Sequence, residues 1–463
     1  MRANEYLNLV TEQLRCKKAR TAVASELNVH IQEQTEVYLL EGNTLVEAEE
    51  KAVKDMGDPV ETGVALDQIH RPKMAWKTIL FIVILSFLGL GAQFLAASLA
   101  GVEEALFAHQ ELKRLLLLLL GLTAMLLVCL ADYSIIGKYA KHLYLGLFFL
   151  LMAGHLLLGR SINGSAQWIV LGPLSFNIPM LSFLFIPLYG AVLYSYRGTD
   201  FRGLLKSILW TMPPVLLVFR CPSPLIAQIL FFSFVLMLSA AIHKKWFRIS
   251  RRPWLAALWG TALLLPLLFV FSLVFNGRGY QAARIQAILF RPDTISSTMN
   301  WKTLAVRELL SGSRILGGSS QSAAAVSKLD PTDFALTYLT SSLGILAAVL
   351  LVTAIAVLLF WLLRRSLNQK NLLGRIMGFG CGTVLLIQLA LYVLANTGIG
   401  TFSVLLSGVY CPFLSYGGTA CLVTYILLGI LLSVYRWQQV LPGETRAETA
   451  RGETQKQKDC LAK

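Results

Sequence analysis

The stretch ILAAVLLVTAIAVLLFWLL, residues 345–363, contains no charged residue and decides the class of fold. A helix of about 18 apolar residues is long enough to cross the hydrocarbon core of a bilayer. Comparable apolar runs recur along the chain from residue 76 onward, and together they predict an all-α polytopic membrane protein. The ten predicted spans are residues 76–100, 115–131, 142–159, 174–195, 204–219, 224–242, 254–276, 333–362, 376–396 and 415–435.

The composition supports the same class. Hydrophobic residues make up 56% of the chain, charged residues only 14%, and the mean hydropathy is +0.62. A soluble domain carries roughly 25% charged residues, so a soluble enzyme is excluded. The net charge of +15 would suggest nucleic acid in a soluble protein. Here most basic residues lie in short loops beside apolar runs, which favours a membrane and predicts no nucleic-acid partner.

The loop charges also predict the orientation of the spans. Lys and Arg concentrate in alternate short loops, as in Lys244–Arg252 and at Arg364 and Arg365. Such loops stay on the cytoplasmic side, so both termini are expected in the cytoplasm. The long segment 277–332 is then an outer loop between the seventh and eighth spans. Within the fifth span, Pro213-Pro214 predicts a kink or a break.

Residues 1–72 have a different, polar composition and predict a small cytoplasmic helical domain. Thr44 and Glu47 have the spacing of a capping box, and Asp58 precedes Pro59 at another helix start. Several phrases resemble the prefix domain of some bacterial permeases, and a docking or folding module without chemistry is expected. No cleavable signal peptide is expected, because about the first seventy residues are polar. Residues 437–463 are predicted to be a polar cytoplasmic tail.

No disulfide framework or metal motif is evident. The seven cysteines form no CxxC pair, and the six histidines are scattered. No cofactor is expected from these patterns, and a divalent cation is left open.

Four ordered segments within residues 80–436 carry a family resemblance: SINGSAQWIVLGPLSF (161–176), RIQAILFRPD (284–293), DPTDFALTYLTSSLG (330–344) and CPFLSYGGTACLVTYILLGILLSVYR (411–436). Together with Asn396 and Gly398, these segments resemble the shape, elongation, division and sporulation (SEDS) family of RodA and FtsW.

The resemblance implies a ten-helix glycosyltransferase in the plasma membrane of a bacterium. Its substrate would be lipid II, the lipid-linked disaccharide-pentapeptide, and its partners a class B penicillin-binding protein and membrane lipid. The family's essential aspartate falls on Asp333, which implies a catalytic carboxylate. The structural alternative is that this carboxylate caps a helix. The residues expected to bind substrate are Arg160, Asn163, Trp168, Arg284, Ser415, Tyr416, Gly417 and Gly418.

Other positions depart from the family pattern. Met180 replaces one family glutamate, Ser341 and Ser342 replace two more, and Trp301-Lys302 stands where the family has Tyr-Gln. The leading hypothesis is polymerisation of lipid II in cell elongation, division or sporulation. The alternatives are a non-catalytic scaffold of a cell-wall complex and a lipid-precursor flippase.

Overall fold

The computed structural model describes residues 1–99, 104–162, 165–172, 174–276, 297–318, 329–399, 406, 408–415 and 417–438. Over these residues, ten helices are long and apolar enough to cross a membrane, which confirms the predicted class of fold. The spans are Trp76–Leu99, Gln110–Leu130, Ala140–Leu158, Ile178–Ser195, Phe201–Arg220, Pro224–His243, Arg251–Ser272, Ile345–Leu367, Leu372–Ala395 and Gly418–Arg436.

The chain divides into two compact units. The first contains Met1–Ala75 with Gln369–Leu372 and Val434–Lys463, and the second contains Trp76–Asn368 and Leu373–Ser433. The division at Ala75 falls beside the predicted boundary at residue 72.

The first unit begins with four helices, Ala3–Gln13, Lys17–Leu40, Leu45–Asp55 and Pro59–His70. Thr44 caps the third helix in a capping box with Glu47, and Asp58 caps the fourth through Val60 N–H and Glu61 N–H, as predicted. The Thr44 contacts lower the pKa of Glu47. The helices enclose a core of their own, formed by Tyr6, Leu7, Val10, Ile31, Ala52 and Val53.

The fifth span is broken, as the proline pair predicts. It consists of Phe201–Leu209 and Met212–Arg220, and Pro213 and Pro214 lie in the first turn of the second helix. A proline there forfeits no helical hydrogen bond, because the first N–H groups of a helix have no partner within it. The break therefore falls immediately before the prolines.

The eighth span begins later than predicted. A separate short helix covers Ala335–Leu343, Gly344 adopts φ +98°, and the membrane helix runs from Ile345 to Leu367. The first N–H groups of that helix are bound from outside it, since Ile345 donates to the Arg314 carbonyl at 3.0 Å and Leu346 to the Ile315 carbonyl at 3.1 Å. A left-handed glycine between two helices ends the first and redirects the chain.

A three-stranded antiparallel sheet, which no sequence pattern predicted, precedes the fourth span. Its strands are β1 (Gly159–Ile162), β2 (Ser165–Leu171) and β3 (Leu174–Asn177), in the order β1-β2-β3. The prediction of span residues from 174 was wrong for this reason, and the fourth span starts at Ile178.

Candidate active site

Asp333 lies at the entrance of the short helix Ala335–Leu343. The preceding turn is closed by Asp330, whose Oδ1 accepts from Thr332 N–H at 2.8 Å and whose carbonyl accepts from Phe334 N–H at 3.1 Å. The N-cap position is Phe334, whose side chain makes no capping hydrogen bond. Among the described residues, none donates a hydrogen bond to the Asp333 carboxylate. The structure therefore does not place Asp333 in the capping role.

The surroundings of Asp333 favour its neutral form. Burial, helped by the negative charge of Asp330, raises the pKa of Asp333 from 3.8 to about 6, against an opposing effect of Lys302. Lys302 lies on the helix Ser297–Leu310, which packs against the short helix. Desolvation disfavours a charged carboxylate, and a nearby cation partly offsets that cost. The Asp333 carboxyl therefore changes charge near pH 6 instead of near pH 4.

Asn396 holds the backbone around Asp333 in place. Its Oδ1 accepts from both Thr337 N–H at 3.2 Å and Thr337 Oγ1 at 2.8 Å. Its Nδ2 donates to the Asp333 carbonyl at 3.4 Å and to the Tyr392 carbonyl at 3.0 Å. The side chain is almost fully enclosed, with 4% exposed. The Asn396 position singled out by the sequence pattern therefore has a clear geometric role.

Gln93, in the first span, joins two of the segments that carry the family resemblance. Its Nε2 donates to the Thr332 carbonyl at 3.5 Å and to the Leu414 carbonyl. One contact reaches the residue before Asp333, and the other reaches the residue before Ser415. The structure therefore brings the DPTD and FLSYGG segments together around one buried amide.

The FLSYGG segment starts with a tight turn. Ser415 Oγ accepts from Cys411 N–H at 3.0 Å, and Ser415 N–H donates to the Cys411 carbonyl at 3.0 Å. Ser415 is buried, Gly417 is exposed, and Gly418 begins the last span. The hydroxyl of Ser415 thus stabilises its own turn, and a role for Ser415, Gly417 and Gly418 in substrate binding stays a prediction.

The sheet aligns two other predicted residues. Arg160 on β1, Trp168 on β2 and Asn177 on β3 are direct cross-strand neighbours, and such neighbours share a face of the sheet. Arg160 is exposed and Trp168 is half-buried. Asn177 N–H donates to Thr419 Oγ1 at 2.9 Å, which ties the sheet to the start of the last span. The row of Arg160, Trp168 and Asn177 is thereby tied to Thr419, the residue after Gly418.

The other residues predicted to bind substrate fall into two groups: those that are described but have no contact with Asp333, and those that lie outside the described residues. No hydrogen bond, ion pair or ring contact joins Arg160 or Trp168 to Asp333 within the described residues, so their place in one site with Asp333 stays a prediction. Asn163, Arg284 and Tyr416 lie outside the described residues. The described residues also contain no cluster of three or more His, Cys, Asp or Glu side chains that could hold a metal ion.

Two polar features inside the spans were missed by the sequence analysis. Gln93 is fully buried, and Arg114, 8% exposed, forms an ion pair with Glu111 three residues earlier. Charged residues within spans are costly, and opposite charges three apart on a helix are neighbours. That spacing within QELKR (110–114) was the available signal.

The fold and the site together define a class: a polytopic membrane protein with a half-buried carboxylate between ordered polar segments. The sequence profile of the cell cycle protein family of FtsW, RodA and SpoVE matches residues 73–439, and the chain belongs to that family. This confirms the SEDS resemblance.

Individual relatives are more distant. A probable peptidoglycan glycosyltransferase FtsW of Idiomarina loihiensis is 27% identical over 65% of this chain and 71% of its own. Stage V sporulation protein E of Bacillus subtilis is 32% identical over 23% of this chain and 28% of its own.

Solved structures share the fold. A chain of a peptidoglycan synthase complex that coordinates polymerization and crosslinking has a TM-score of 0.63 and 23% identity, covering 79% of this chain and 98% of its own. The rod shape determining protein RodA of Thermus thermophilus has a TM-score of 0.53 and 21% identity, covering 79% of this chain and 97% of its own.

Proposed function

We propose that this protein is a membrane peptidoglycan glycosyltransferase that polymerises lipid II, with Asp333 as general base. The observation that carries the proposal is the half-buried Asp333 carboxylate, whose pKa is raised to about 6 and whose backbone is fixed by Asn396. A catalytic base works best when its pKa lies near the working pH. Relatives named as peptidoglycan glycosyltransferases support the same reaction class.

The reaction places a specific demand on this carboxylate. A sugar hydroxyl of the acceptor attacks the anomeric carbon of the donor, and the bond from that carbon to the polyprenyl pyrophosphate breaks. Asp333 takes the hydroxyl proton as the new glycosidic bond forms, while the bonding electrons leave with the pyrophosphate. Above pH 6 the carboxylate is mainly ionised and ready to accept that proton.

The leaving group needs compensating positive charge. Arg160 is exposed beside Trp168, and Lys302 lies within electrostatic range of Asp333. Arginine pairs well with phosphate oxygens, and lysine acts as a point charge. A divalent cation would be carried with the pyrophosphate, whose oxygens would supply most of its ligands. Addition of EDTA should then slow the reaction, and Mg²⁺ should restore it.

The membrane setting follows from the same reaction. The protein is a multi-pass bacterial membrane protein, and its polyprenyl substrate is a membrane lipid. The charge pattern supports cytoplasmic termini, with Asp333 near the outer face. A class B penicillin-binding protein is the partner we propose, because it would crosslink the strands that this protein makes.

The deciding experiment uses purified full-length protein and lipid II in detergent or liposomes, with and without the penicillin-binding protein. We expect glycan strands with wild-type protein and none with Asp333→Asn. Equal product from both proteins would reject Asp333 as the base. No product from wild-type protein under any condition would reject the enzymatic function.

A scaffold is the second candidate, and the altered glutamate positions favour it. Ser341 Oγ and Ser342 Oγ both donate to the Tyr338 carbonyl, at 3.0 and 2.7 Å, within their own helix. Met180 brings no charge to its position. A scaffold would bind its partner normally while making no glycan, so affinity for the partner and glycan synthesis measured together distinguish the two functions.

A further inference from the structure

One face of the first span is the contact surface for the FLSYGG segment. Ser86, Gly89 and Gln93 are spaced three and four residues apart, which places them on one side of a helix. Ser86 Oγ accepts from Tyr425 at 2.6 Å, and Gln93 donates to the carbonyls of Thr332 and Leu414. This polar and small face therefore contacts the last span and the two segments of the candidate site.

Gly89 allows a very close approach at this face. A Cβ at Gly89 would lie 1.9 Å from the Phe413 carbonyl oxygen, so no larger residue fits without movement of the backbone. Phe413 itself adopts φ +70°, a left-handed conformation that is uncommon for a bulky residue. The segment is thus pressed onto the first span one helical turn before Gln93.

A glutamine at position 93 would be unfavourable if its only role were to fill space between the helices. The side chain is 0% exposed, and its Oε1 is enclosed with no hydrogen-bond partner among the described residues. An apolar residue would avoid the burial of an unpaired oxygen. What the amide provides in return is a donor shared by Thr332 and Leu414, whose carbonyls both belong to the candidate site.

We propose that Gln93 is a positioning residue of the transferase: it fixes the Asp333 segment against the FLSYGG segment. The inference deepens the proposed function and rests on it. Without this donor, the carbonyls of Thr332 and Leu414 are released from each other, and the turn before Asp333 moves toward solvent. Asn396 still holds the far side of the same segment, so the fold persists while the carboxylate is misplaced.

Gln388 is a matched control. It is a fully buried glutamine in the ninth span. Like Gln93, it binds the backbone just before the last span, because its Oε1 accepts from Tyr410 N–H at 3.4 Å. No hydrogen bond joins it to Thr332 or Asp333 within the described residues. Gln93→Leu and Gln388→Leu therefore remove the same group from equally buried positions, and only the first detaches the Asp333 segment.

The test combines kinetics with hydrogen exchange on full-length protein. In lipid II polymerisation, Gln93→Leu should lower kcat by about tenfold or more, because small misplacements of catalytic groups are costly, while KM stays within about threefold. The acid limb of its kcat profile, where activity falls as Asp333 becomes protonated, should move to lower pH, since a more solvated Asp333 has a lower pKa. Gln388→Leu should change kcat by less than about threefold and leave the limb in place.

Exchange of residues 329–343 provides a readout independent of activity. It should become faster in Gln93→Leu and stay unchanged in Gln388→Leu. Equal effects of the two variants on exchange, or an unmoved acid limb in Gln93→Leu, would overturn the proposal. If wild-type protein makes no glycan, the proposed function fails, and the exchange comparison alone decides whether Gln93 positions the segment.

Discussion

Asn396 and Asp333 are joined through the backbone, because Asn396 Nδ2 donates to the Asp333 carbonyl at 3.4 Å while the Asp333 carboxylate is left without a described hydrogen-bond donor. The main chain is thus fixed, and the acidic group stays available. This arrangement suits a base, since hydrogen bonds to a carboxylate stabilise its charged form and reduce its proton affinity.

Asp333→Asn should abolish most activity. The amide has nearly the same size, but it cannot accept the proton, so polymerisation should fall by ~100-fold or more. The rate of glycan formation from lipid II, followed by gel separation of the strands, is the measurement. Normal membrane insertion of the variant is the control, and a variant that polymerises at the wild-type rate would contradict the assignment.

The same substitution should raise thermal stability at neutral pH. The pKa of Asp333 is about 6 in the folded protein and ordinarily 3.8, so the folded state resists ionisation more than the unfolded state does. Wild-type protein therefore loses stability as the pH rises from about 4 to about 6. At pH 7.5 Asp333→Asn should be more stable, by on the order of 1 kcal/mol. Below pH 4 the two melting temperatures should converge, and a variant less stable at every pH would exclude this explanation.

The pH dependence of activity should respond to the two neighbouring charges in opposite directions. Wild-type activity should fall as the pH drops through about 6, where Asp333 becomes protonated. Lys302→Gln removes an attractive charge, raises the pKa further and should move this acid limb to higher pH. Asp330→Asn removes a repulsive charge, keeps the acceptor for Thr332 N–H and should move it to lower pH. The check is the kcat profile of each variant, and shifts in the same direction would refute the placement of these charges.

Asn396→Ala should destabilise the membrane unit. The substitution removes the acceptor for Thr337 and the donor to Asp333, and it leaves buried backbone groups unsatisfied at a cost of roughly 1–3 kcal/mol. The melting temperature and kcat should both fall. Thr337→Val removes only the hydroxyl contact to Asn396, so its effect should be smaller. Equal behaviour of the two variants would show that the backbone contacts of Asn396 contribute nothing.

Cysteine labelling should establish the orientation of the chain. Glu308 lies in the predicted outer loop and Asn368 in a predicted cytoplasmic loop, and both are exposed. On a background without accessible native cysteines, Glu308→Cys should react with an impermeant reagent in intact cells, and Asn368→Cys should react only after lysis. The opposite result would invert the topology.

Deletion of residues 1–70 should leave a protein that inserts into the membrane. The four N-terminal helices enclose a core of their own, and the third and fourth carry side-chain caps, so we expect the spans to insert without them. The measurement is the amount of the truncated protein extracted from membranes, together with its elution as a single species in size-exclusion chromatography. Complete loss of inserted protein would place the domain boundary elsewhere.

The sequence reveals features whose cause is local. Apolar runs long enough to cross a bilayer located the spans, Thr44 and Asp58 marked helix starts, and Pro213-Pro214 marked the break in the fifth span. Contacts between distant segments have no such local signal. Gln93 lies 239 residues from Thr332 and 321 from Leu414, so no local pattern could reveal its contacts.

The helix break at Gly344 was also hidden, because the apolar pattern continues across it. Its cause is the backbone of Arg314 and Ile315, which lies against Gly344. The position of Asp333 could be inferred from its family motif, whereas the contacts of Asn396 around it, its raised pKa and its neighbour Lys302 required coordinates.

Gly344 separates a helix that must match the bilayer from a segment that must hold Asp333 in place. One continuous helix would have to do both. A Cβ there would lie 2.7 Å from the Ile315 carbonyl oxygen, and φ is +98°, so the joint depends on glycine. The helix Ile345–Leu367 can adapt to bilayer thickness by tilting, as spans do when their apolar length and the hydrocarbon core differ. The segment that carries Asp333 is held instead by Gln93, through the Thr332 carbonyl, and by Asn396. Lipid composition can therefore alter the tilt of the eighth span without setting the depth of the carboxylate.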